Sequence, residues 1–553
     1  MEDYYDLGDY SLKVSTASPE AQRWFDRGLM WCYGFNHDEA IACFEKAAAA
    51  DTKLAMAQWG IAYAAGPNYN KPWEAFDPED LQRCHGTSRR AIEKALALAP
   101  GATPLERALI QALEARCPGD PPADLNTLND AYAAAMRTVY AAFPKHPDVA
   151  TLDAEAMMNR TGWRLWDLKT GKPAEGSDTA EIVRVLERGM ADTAAAGARP
   201  HPGLLHMYIH TMEMSPTPEK ALKACDELRG LVPDSGHLQH MPTHIDVLCG
   251  NYQAVVDWNS EAIVADEKFV AREGPLNFYS LYRCHDYHFK AYGGMFLGRF
   301  ALAIEAADAM VASLPEELLR IPSPPMADWL EAFVPTDYHV LIRFGKWEEI
   351  LAKPLPKDQA LYAFTTATAH YAKAVAAAAS GKLDIAASQA DLFEAAAARV
   401  PESRKLMNNF CKDVLAVARE MMKGEIAYRR GAYDDAFAHL RQSVHLDDNL
   451  PYDEPWGWMQ PTRHALGALL LEQGHVEEAA AVYRADLGFD HTLARACQHP
   501  DNVWSLIGYH DCLTKLGRQE EAVIIKQRLD LARARTDVPV KASCFCKMGA
   551  RAA

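Results

Sequence analysis

Residues 24–51 read WFDRGLMWCYGFNHDEAIACFEKAAAAD. Trp24, Gly28, Trp31, Ala40, Phe44 and Ala47 fall at offsets 0, 4, 7, 16, 20 and 23. Apolar residues recurring at three- and four-residue spacing mark two amphipathic helices. The small residues Gly28 and Ala40 belong where the two helices touch, and the aromatic side chains fill the gaps around them. A turn is expected near Gly34-Phe35-Asn36-His37.

The same alternation of large and small residues recurs along the chain. Gly424, Gly431, Tyr433 and Ala436 carry it, as do Gly467, Gly474, Ala479 and Tyr483. Trp504, Gly508, Gly517 and Ala522 follow with a shifted turn. Weaker copies begin at Gly250, Gly298, Gly345 and Gly381, each with an aromatic residue or Leu two positions on. Glycine at that point lets the chain reverse between helices. The pattern resembles the tetratricopeptide (TPR) repeat, and no strand alternation competes with it. The expected fold is all-α, an α-solenoid of stacked TPR-like helix pairs wound as a right-handed superhelix. Its expected divisions are N-terminal repeats over 1–200, His-rich central repeats over 201–350, C-terminal repeats over 351–535 and a Cys-containing tail over 536–553.

The resemblance narrows further. FNHDEAIACFEKA (35–47), MAQWGIAYAAGPNYN (56–70), HMYIHTMEMSPTPEKAL (206–222), HLQHMPTHI (237–245) and the pair His285/His288 look like one group of His-rich bacterial and fungal TPR proteins. This likeness speaks to architecture and leaves the chemistry to the residues.

The chain has 553 residues, 49% hydrophobic and 24% charged, with a formal net charge of −18. The length suits several domains or one repeat array, and the composition is that of a folded protein. The negative balance disfavours binding to nucleic acid phosphates and to anionic membrane surfaces. The acidic start MEDYYDLGDY is not a secretory leader, and no apolar run is long enough to span a membrane. Twelve scattered cysteines fit a reduced, cytoplasmic protein.

Eight histidines crowd residues 201–288: His201, His206, His210, His237, His240, His244, His285 and His288. His206, His210 and Glu213 are spaced i, i+4, i+7 and share one helix face. His237, His240 and His244 are spaced i, i+3, i+7, and His285 and His288 i, i+3. Pro242 lacks the N–H a helix interior needs, so the helix either kinks there or starts near Met241. TPR registers place these positions, and His339 after them, on the face that lines the groove. The resemblance therefore implies that the imidazoles converge.

Convergent neutral imidazoles are ligands for transition metals. The expected metal set is His206, His210, His237, His240, His244, His285 and His288. Few carboxylates accompany it, which argues against magnesium and calcium. Copper or zinc fits best, with iron next. With copper or iron, the chemistry would be oxidation of a small-molecule substrate; with zinc, hydrolysis. Glu213 is the candidate catalytic residue, orienting a ligand or relaying protons. The alternative is a metal-free polar groove on a scaffold for a peptide or protein partner.

Other residues carry weaker signals. Glu155, Asn159 and Arg160 suit either a base beside the histidines or a solvated helix face. GPNYNKPW (66–73) can cap the groove or simply turn the chain. His37 suits a cap or packing role. Trp456, Trp458 and Arg463 can form a substrate wall or core. Cys544 and Cys546 are a soft-metal or redox pair, or two exposed thiols. There is no GxxxxGK[ST] phosphate loop, no HExxH and no G-x-S-x-G elbow on a strand–turn–helix unit, so nucleotide hydrolysis and serine hydrolase chemistry are disfavoured.

Overall fold

Helix pairs build the molecule. In the computed structural model, residues 4–547 are described. Among them the only strands are two antiparallel two-residue ladders, Trp166–Asp167 with Lys172–Pro173 and Lys405–Leu406 with Asn409–Phe410. The chain divides into two units, one formed by residues 1–245 and 261–272, the other by residues 246–260 and 273–553.

In the first unit the opening stretch forms α1 (Pro19–Tyr33) and α2 (His37–Ala50), followed by α3 (Ala55–Ala64). Ser18 caps α1 by accepting from the Ala21 amide, and Asn36 caps α2 by accepting from the Glu39 amide. Phe44 of α2 is fully buried between two glycines. A Cβ on Gly28 would lie 2.7 Å from its ring, and one on Gly60 of α3 2.6 Å. The large–small alternation read from the sequence is this contact: one aromatic ring filling the space that two glycines leave.

The second unit repeats the device. Tyr483 is wedged between Gly467 and Gly508, whose Cβ atoms would stand 2.5 and 2.2 Å from its ring. Its pairs include Ser280–Phe296 with Phe300–Ala312, Cys411–Arg429 with Tyr433–Asp447, and Val503–Lys515 with Gln519–Arg533. The turns of these pairs use a glycine at positive φ: Gly298 at 69°, Gly431 at 78° and Gly517 at 71°. The fold is an all-α, TPR-like α-solenoid.

The tail departs from two of its expectations, the soft-metal pair and the two exposed thiols, and is compatible with the third, a redox pair. Cys544 and Cys546 are joined in a disulfide, so neither presents a thiolate, while none of the other ten cysteines is disulfide-bonded. Part of the described tail is packed into the molecule. Ser543 and Cys546 are buried, and the Ser543 hydroxyl bonds the His464 carbonyl at 2.8 Å. Among the described residues no helix is long and apolar enough to cross a membrane.

Candidate metal centre

Three elements supply the imidazoles of the first unit: α5 (Pro202–Glu213), α6 (Gly236–His240) and the opening turn of α7 (Pro242–Leu248), with α4 (Pro147–Met158) packed beside α5. Pro202 opens α5, and His201 caps it, its Nδ1 accepting from the Leu204 amide at 3.1 Å. The remaining ring nitrogen of His201 donates to Asp148 at 3.2 Å, so this histidine is a structural cap. Met241 separates α6 from α7 and Pro242 starts the second. The continuous face expected for His237, His240 and His244 is therefore broken at the proline, as its missing N–H requires.

The structure brings five histidines and one carboxylate of this unit together. The rings of His206 and His210 stand 4.8 Å apart, and that of His237 is 4.8 Å from His206. The ligand atoms of His206, His210 and His237 lie within 4.8 Å of one another, and so do those of His210, Glu213 and His244. His206 Nε2 is 3.1 Å from His237 Nε2, and His240 Nε2 is 2.7 Å from His244 Nε2. All six residues are at most 1% exposed. The imidazoles thus line a closed interior rather than an open surface.

Their partners fix the tautomers. The Nδ1 of His206 is 2.6 Å from the Tyr33 carbonyl, which only accepts, so Nδ1 carries the proton and Nε2 a lone pair. Glu213 does the same for two rings at once: its Oε1 accepts from His210 Nδ1 at 3.0 Å and its Oε2 from His244 Nδ1 at 2.7 Å. Three Nε2 lone pairs result. A carboxylate or carbonyl behind an imidazole is the arrangement that orients metal-ligating histidines. Burial pushes the His206 imidazolium down to about 3, against the Tyr33 carbonyl, so this ring is neutral and ready to coordinate.

Aromatic rings close the site. Phe35 lies 4.6 Å from His206, 5.3 Å from His237 and 5.8 Å from His210, ring centre to ring centre. The GPNYNKPW loop places Tyr69 5.1 Å from His210, and Trp163 stacks on Tyr69. The sequence reading missed Phe35 and Trp163. The available signal for Phe35 was a phenylalanine in the turn slot where Gly431 and Gly474 stand in their pairs.

His285 and His288 belong to the second unit, on the helix Ser280–Phe296, and both are buried. The His288 ring stands edge-on to Phe333 at 5.2 Å, and burial, with His339 nearby, holds its imidazolium down at about 3. Glu155, on α4, is not on a solvated face. It is buried, accepts from the Tyr63 hydroxyl, and burial pushes its carboxyl up to about 8. Arg160 is spent on Asp130 and Asp178. His37 sits 2.9 Å from the Ala64 carbonyl, a packing role. Trp458 packs in the second unit, edge-on to His339 at 5.1 Å.

No family model matches the chain, and no curated protein matches it in sequence. Solved structures similar to it include human IFIT1 as a dimer with m7Gppp-AAAA, at 9% identity and TM-score 0.32, covering 94% of this chain and 91% of that one. The APC/C hetero-tetramer Cut9–Hcn1 follows at 12% identity and TM-score 0.30, covering 94% and 88%. Yeast Tom70 matches at 11% identity and TM-score 0.29, covering 93% and 96%. At this level of similarity no property of these proteins is carried over to the present chain.

Proposed function

We propose that this TPR-like protein binds a transition metal ion on the imidazoles of its first unit, with copper or zinc favoured and iron next. The HMYIHTMEMSPTPEKAL and HLQHMPTHI segments, which carry the likeness to a His-rich TPR group, supply all five rings and Glu213. The single observation that carries the reading is the tautomer set: Tyr33 and Glu213 hold protons on Nδ1 of His206, His210 and His244, leaving Nε2 lone pairs inward. Such a set suits imidazole-loving metals and offers little to magnesium or calcium. When bound, copper or iron would supply one-electron oxidation of a small molecule, and zinc would supply an activated water. The chain's own part is to hold the ligands in a dry, fixed arrangement, Glu213 orienting two of them.

Elemental analysis of the untagged protein tests this, with a His240→Ala/His244→Ala variant beside it. At least one equivalent of copper, zinc or iron, reduced in the variant, supports the site. No metal after anaerobic reconstitution rejects it.

A second reading, a scaffold for a peptide or protein partner, is favoured by one observation. The helix Gln519–Arg533 leaves Val523, Ile524 and Leu531 exposed at 60%, 60% and 74%. Bare apolar side chains of that size on one helix are a docking feature when they are contiguous.

A further inference from the structure

Phe35 holds an unusual backbone. Its φ is 56°, in the left-handed region that bulky side chains avoid. The reason is its place in the turn. In the pairs joined at Gly298, Gly345, Gly381, Gly431, Gly474 and Gly517, a glycine at φ between 65° and 85° stands two residues beyond the first helix, with one residue before the next. Phe35 stands in that same slot between α1 and α2, with Gly34 before it and Asn36 after. The hydrogen bonding is the same too: the Asn36 amide donates to the Trp31 carbonyl at 2.9 Å, as the Arg299 amide donates to the Gly294 carbonyl at 2.9 Å. The turn demands a left-handed residue, glycine meets that demand without strain, and here the chain carries phenylalanine instead.

What the strain achieves is the ring's position. A glycine would leave the space over His206, His210 and His237 empty. The Phe35 ring, 4% exposed, lies against all three, tilted on His206 and stacked on His210 and His237. Trp163 has the same backbone signature, φ 57°, and its ring stands edge-on to His210 at 5.8 Å. Four non-glycine residues with positive φ occur among the described residues, and two of them are aromatic rings on the same imidazole.

We infer that Phe35 is a positioning residue for the metal ligands: its left-handed turn conformation is held so that its ring fixes the planes of His206, His210 and His237 and keeps water from their inner nitrogens. The inference rests on the metal-binding reading. It assigns the first turn, which in the other pairs only reverses the chain, to the ligand set. An apolar wall that fixes ring orientation sharpens coordination geometry and controls solvent access to the ion.

The test uses the full chain and cobalt(II) as a spectroscopic probe, with zinc affinity measured by chelator competition. Phe35→Gly suits the turn better than the native residue and removes the ring. It is expected to keep the far-UV circular dichroism, to bind zinc about 10–100-fold more weakly, and to change the cobalt ligand-field bands, because loosened imidazoles and admitted water alter the coordination. Phe35→Leu keeps most of the bulk and guards against a variant that fails to fold. It is expected to fold and to show a smaller change of the same sign. A folded Phe35→Gly, or failing that Phe35→Leu, with wild-type zinc affinity and an unchanged cobalt spectrum overturns the positioning role alone. A wild-type protein that takes neither cobalt nor zinc overturns the metal-binding reading, and this inference with it.

Discussion

Glu213 and His244 are 31 positions apart in sequence, yet Glu213 Oε2 accepts from His244 Nδ1 at 2.7 Å with both side chains buried. The other oxygen of the same carboxylate accepts from His210 Nδ1 at 3.0 Å. One acid therefore sets the tautomer of a ring on its own helix and of a ring on another.

Replacing that acid should loosen the ligands without unfolding the chain. Glu213→Gln keeps the size but offers one acceptor and one donor where the native residue offers two acceptors, so one of the two rings loses its orienting bond. The expected result is metal affinity weakened about 10–100-fold, read by chelator competition, with helicity unchanged. Unaltered affinity would show that the carboxylate does not govern the ligands.

The pair His206 and His237 tests the other end of the site. Their Nε2 atoms are 3.1 Å apart, and His206 Nδ1 is already committed to the Tyr33 carbonyl. His206→Ala should lower bound metal per chain sharply in elemental analysis. If the ring is only structural, the same change instead lowers the melting temperature and leaves the stoichiometry as it was.

Glu155 gives a pH prediction. Burial raises its folded carboxyl from the ordinary 4.5 to about 8. Between those values the unfolded chain has lost the proton and the folded chain keeps it, so stability falls as pH rises from 4.5 to 8 and the loss is constant above that. Glu155→Gln mimics the protonated acid and still accepts from the Tyr63 hydroxyl. It should melt with the wild type at pH 4 and be more stable by about 3 kcal/mol at pH 7. Thermal melts across this range check it, and a difference that does not grow with pH would contradict the assignment.

The packing device is testable at α3. A Cβ on Gly60 would stand 2.6 Å from the Phe44 ring, inside contact distance. Gly60→Ala should cost about 1–3 kcal/mol in urea denaturation, through overpacking. Phe44→Leu in the same chain should recover part of that loss, and the double-mutant cycle should show coupling. Additive losses would mean that the two residues do not share the space.

The helix pairs were legible in the sequence because their signal is local. Gly28 with Phe44, and Gly467 with Tyr483, sit at offsets that one helix pair fixes, so composition and spacing carry the contact. The histidines were legible for a related reason: i, i+4 spacing puts His206 and His210 on one face whatever lies opposite. The kink at Met241–Pro242 was also readable, since a proline lacks its N–H in any fold. The pairing of Glu213 with His244 was not, because it joins two helices whose relative placement no local rule sets. The burial of Glu155 against Tyr63, 92 residues away, was hidden for the same reason, and a charged residue on a helix reads as solvated until its neighbours are known. Phe35 lies between these cases. Its missing glycine could be seen in the sequence. That its ring would cover three imidazoles from α5 and α6 was decided only when the tertiary structure brought those helices to the turn, because a side chain's direction is local and what it meets is not.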